Sequence, residues 1–100
     1  MTGSSDRYDQ LLHELAEERV AALNRIARHL EQRINALNEL RASAHDVAGD
    51  TRTALLQRYR ELRADALRYR WYLDVQREAL GLRPHETVEQ FYGVPGPLDG

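Results

Sequence analysis

His13 and Glu17 stand four residues apart, and so do His85 and Glu89. On a helix that spacing puts an imidazole and a carboxylate on one face, which is half of a metal site. A di-metal centre in a helical bundle needs glutamates from two helices and Glu-x-x-His pairs from two more. No Glu-x-x-His occurs in this chain, so both pairs are expected to be solvated. No metal ligand and no cofactor is assigned, and a metal-binding bundle or small enzyme is kept as a second alternative. Nucleophilic catalysis has less to build on. The chain has no cysteine, its three serines lie near the ends of one helical segment, and none has a base and an orienting group in a recognisable pattern.

Arginine offers the other chemistry. All fourteen basic residues are arginine, a usage that fits a GC-rich bacterial coding bias. Arg63, Arg70 and Arg77 recur every seven residues, with Arg60 nearby. Such a ladder can track phosphates, so binding of a polyanion or nucleic acid through Arg60, Arg63, Arg70 and Arg77 is the first alternative function. Against it stand the interleaved Glu61, Asp65, Asp74 and Glu78 and a net charge of −2, which deny the chain the footprint of a nucleic-acid binder. The favoured expectation is ion pairing between these arginines and the acids Glu14, Glu17, Glu18, Glu31 and Glu39.

The elements that position these groups follow from where helix breakers are missing. No proline occurs between Met1 and Arg83, and no glycine between Ser4 and Ala48. Leu12, Leu15, Leu23, Ile26, Leu30, Ile34 and Leu37 recur at sums of three and four, as one helix face requires. A first helix is therefore expected over about 5–47, capped by Ser4 or Ser5. Asn24, Asn35 and Asn38 lie near its apolar face and are expected to set register. In "HDVAGDT", Gly49 suits a left-handed stop, and Asp50 or Thr51 suits a new cap.

A second helix is expected over about 51–80, with a seam of Leu55, Tyr59, Leu62, Ala66, Tyr69, Leu73 and Leu80 in strict alternation of four and three. The connection is only a few residues long, so the two helices must run antiparallel. Gly81 supplies the next stop. Pro84 and Gly93 bracket a short third helix over about 84–92, with Val88, Phe91 and Tyr92 on its apolar side. It is expected to fold back over the N-terminal part of the first helix. The remainder, 93–100, is rich in proline and glycine and reads as a flexible, non-helical tail.

The stretch "RYRWYLDVQREALG" carries a second apolar stripe, Leu67, Trp71 and Val75, on a different side from Tyr69 and Leu73. Two helices cannot enclose a core, so something must cover these faces. The expected fold is all-α: one domain over 1–100, a long hairpin plus a short helix, dimerising into a four-helix bundle. The expected function is that of a non-catalytic structural or adaptor protein. It acts by protein–protein contact with its own copy and with another protein, through Tyr59, Leu62, Tyr69, Leu73, Leu67, Trp71, Tyr72, Val75, Phe91 and Tyr92. No segment reads as a signal peptide or membrane span, and a cytoplasmic location is expected.

Overall fold

The computed structural model describes residues 3–82 and 92–98. Helix α1 spans Gly3–Ser43 and helix α2 spans Gly49–Ala79. A single tight turn, Ala44–Asp46, follows α1 directly. The helices run antiparallel: Arg33 meets Asp65 and Arg41 meets Tyr59, while Gln76 lies beside Leu15, Arg19 and Ala22. The expected third helix, about 84–92, with Phe91 on it, lies outside the described residues apart from Tyr92.

Long helices form here because leucines repeat at helical spacing with no breaker between them. Their ends differ from the sequence reading for local reasons. Ser4 and Ser5, expected as caps, fall inside the first turn of α1. At the other end α1 stops at Ser43, four residues early. The chain tightens around the buried Ala44, whose carbonyl accepts a 2.6 Å hydrogen bond from Arg52 Nη1. Val47 and Ala48 are then extended. Gly49 does take the left-handed conformation (φ 62°), which costs glycine little, but it opens α2 and does not close α1. Ala48 occupies the cap position and offers no side-chain bond, so neither Asp50 nor Thr51 plays that part.

The C-terminus of α2 ends where glycine stops it. Gly81 sits at φ 72°, its N–H donates to the Glu78 carbonyl (3.0 Å), and the Leu82 N–H donates to the Arg77 carbonyl (2.9 Å). This is the paired Schellman arrangement that satisfies the last carbonyls of a helix.

Leu30 and Leu37 from α1 and Tyr59, Leu62, Ala66 and Leu73 from α2 form the core. The seam on α2 is therefore as read, with three adjustments: Leu56 is buried where Leu55 was expected, Tyr69 is half-buried, and Leu80 is half-buried outside the core cluster. Asn24, Asn35 and Asn38 are exposed and do not set register at the seam. Residues 93–98 carry no helix, yet the tail read as flexible lies against the hairpin. Tyr92, Val94 and Leu98 pack on the core. Tyr59 Oη donates to the Gly96 carbonyl (2.6 Å), and Arg63 Nε donates to the Pro95 carbonyl (2.8 Å).

The overall extents are 74 × 22 × 15 Å, with a radius of gyration of 19.3 Å. A compact domain of this length would have roughly 13 Å. The thinnest dimension is barely more than one helix with its side chains, so the hairpin is a single layer and leaves much of its apolar surface uncovered. Because Gln76 is level with the fifth turn of α1, the first turns of α1 project beyond α2. Tyr8, Leu11 and Leu12 are exposed on that overhang, and Leu15 is exposed at its base, near the end of α2. The tail packs near Arg41 and Tyr59, towards the opposite end, so residues 92–98 do not cover it.

Candidate protein-interaction surface

The residues read as interface candidates fall into two groups. Tyr59, Leu62 and Leu73 are buried and Tyr69 is half-buried, so they pack within the hairpin. Tyr92 is half-buried against the same core. Leu67, Trp71, Tyr72 and Val75 remain exposed, Trp71 at 61%. Both groups lie on α2 because its apolar residues occupy two sides of the helix, and α1 with the tail takes only one of them.

Trp71 is held in place from beneath. Its indole lies 5.4 Å from the Tyr72 ring, Tyr72 meets Tyr69 edge-on at 6.0 Å, and Tyr69 stacks on His29 of α1 at 5.2 Å. Aromatic pairs at these separations and angles attract through their quadrupoles. The chain of rings runs from the hairpin seam out to the surface at Trp71.

Register at this level is set by Arg33. Its Nε donates to Asp65 Oδ2 at 2.5 Å, its Nη1 donates to the His29 carbonyl at 3.0 Å, and its guanidinium carbon lies 4.2 Å over the Tyr69 ring. Sequence reasoning expected arginines of α2 to pair with acids of α1. One inter-helix ion pair has the opposite polarity, with the arginine, Arg33, on α1 and the carboxylate, Asp65, on α2. The useful signal was His29 and Arg33, one turn apart and facing the seam. Both partners are partly exposed, so Asp65→Asn is expected to cost about 1 kcal/mol. Arg33→Ala should cost more, because it also removes a cation–π contact of roughly 0.5–1 kcal/mol. Urea denaturation of both variants checks this, and equal losses would mean that the ring contact contributes nothing.

The arginine ladder does not present itself as one track. Arg63 is bound to the tail, and exposed Arg60 donates to Gln57 Oε1 at 3.0 Å. Arg70 and Arg77 are half-buried. A groove of about 530 Å³ is lined by Arg33, Arg58 and Arg68, but Glu61 and Asp65 share its wall, which would repel a phosphate chain. His13 Nε2 lies 2.9 Å from Glu17 Oε1, with both side chains mostly exposed. His85 and Glu89 lie outside the described residues. Among the described residues no three histidine or carboxylate side chains gather into a metal-sized group, no polar or charged residue is buried, and no helix is long and apolar enough to cross a membrane.

What this surface offers is an exposed tryptophan in an apolar stripe, flanked by charge. No family model, no curated protein and no solved structure matches the chain.

Proposed function

We propose that the protein is a non-catalytic structural or adaptor module that works by helix-bundle contact, first with a second copy of itself and then with another protein. The observation that carries this reading is the stripe Leu67, Trp71 and Val75, exposed on a hairpin one layer thick. Large contiguous apolar surface rimmed by polar residues marks interaction sites in soluble proteins, and tryptophan is enriched among residues that dominate binding energy. A second hairpin brought up by a two-fold axis makes the four-helix bundle that would cover such faces.

Absolute mass by light scattering after size exclusion, at two protein and two salt concentrations, tests the reading. The expected result is twice the chain mass of 11.6 kDa at the higher protein concentration. A single-chain mass under every condition would overturn self-association.

A further inference from the structure

Two exposed apolar surfaces belong to one chain that cannot bring them together. The first is the overhang of α1, where Tyr8, Leu12 and Leu15 continue the face that α2 covers further along. The second is the outer stripe of α2, Leu67, Trp71 and Val75. Their spacings are four and three on one, four and four on the other, so a helix carrying the first can lie along a helix carrying the second. Within one molecule they are far apart. Asp65 faces Arg33, which puts Leu67 level with about residue 31, and Tyr8 therefore lies roughly 35 Å away along the axis at 1.5 Å per residue.

Their charges are opposite. Residues 3–18 carry five carboxylates and one arginine, a net of −4 with histidine neutral. Residues 58–77 carry six arginines and three carboxylates, a net of +3. Acidic arm and basic stripe therefore attract across an interface and repel their own kind.

We propose that two copies exchange arms: the α1 overhang of each lies on the Leu67–Trp71–Val75 stripe of the other. This rests on the self-association proposed above and assigns its geometry. A two-fold axis needs both contacts at once. Leu12 of one copy then meets Trp71 of the other, so the axis passes at a height midway between Leu12 and the level of Trp71, close to that of Val20. The arrangement uses both arms and both stripes, once each, and leaves neither an arm nor a stripe open for a third copy.

The chain has no cysteine, so introduced thiols report cleanly. Tyr8→Cys and Leu67→Cys are made separately, at exposed positions that leave the hairpin core intact, then mixed and oxidised. A disulfide needs Cα atoms within about 7 Å. The expected product is a covalent heterodimer joining position 8 to position 67, with neither variant cross-linking alone. Self-linked Tyr8→Cys would mean arm against arm, self-linked Leu67→Cys stripe against stripe, and either overturns the exchange. A dimeric mass with no 8-to-67 link overturns it as well, while the self-association reading survives. A monomeric mass defeats both. In the unmodified protein, raising the ionic strength should weaken the dimer, and Trp71→Ala should weaken it about thirtyfold.

Discussion

Leu73→Ala is expected to lower the free energy of unfolding by about 2–5 kcal/mol, the range for removing a buried leucine and leaving part of the cavity behind. Leu73 is 2% exposed and belongs to the six-residue buried cluster. A single-layer hairpin has few other large buried side chains to share the load: Tyr59, Leu30 and Leu37 are the largest fully buried ones among the described residues. Whole domains are stable by only about 5–15 kcal/mol, so this one change should remove a large share of the total. Circular dichroism at 222 nm against urea reads it. Trp71→Ala, two residues away but on the open stripe, provides the contrast. At concentrations where single chains dominate it should cost about 1 kcal/mol or less, since exposed substitutions rarely cost more. A loss below 1 kcal/mol for Leu73→Ala would mean that the seam is not packed as described.

Deleting residues 92–100 should have the next largest effect, about 2–4 kcal/mol. The tail supplies three apolar side chains, Tyr92, Val94 and Leu98, against the core. At roughly 25 cal/mol per Å² of apolar surface, each half-buried side chain contributes about 1 kcal/mol. It also supplies two carbonyls. Gly96 accepts from Tyr59 Oη at 2.6 Å and from Arg41 Nη1 at 3.3 Å, and Pro95 accepts from Arg63 Nε, bonds worth about 1 kcal/mol each in net terms. The chain entropy released on deletion offsets part of this. Tyr59→Phe isolates one piece: the ring, 1% exposed, stays, the hydroxyl goes, and about 1 kcal/mol should go with it. Thermal unfolding of full-length, deleted and Tyr59→Phe proteins ranks the three. An unchanged midpoint after deletion would show that the tail is not held in solution.

Much of the hairpin was legible because its signals are local. The absence of breakers, the three-and-four spacing of leucines, and Gly49 and Gly81 at the only positions among the described residues with positive φ are all visible within a few residues of one another. The antiparallel arrangement followed from a short connection. The stop at Ser43 was less legible, since it depends on Arg52 reaching back to Ala44 from the next helix. The exchange of Leu55 for Leu56 is equally a matter of how α2 is rolled against α1. The polarity of the Arg33–Asp65 pair was invisible for a similar reason: acids and arginines are abundant on both helices, and only the register selects which of them meet.

The amino-acid sequence by itself determined two long helices, their antiparallel return and the presence of two apolar sides on α2, because helical periodicity and backbone breakers act over single turns. It also marked the longer of those sides as the seam, and tertiary structure decided its exact roll and what the tail covers. It placed Tyr59, Leu62, Ala66 and Leu73 inward, left Leu67, Trp71 and Val75 outward, and bound the tail through the carbonyls of Pro95 and Gly96. A backbone carbonyl has no side-chain signature, and the roll of a helix that buries Leu56 in place of Leu55 is set by packing against distant residues.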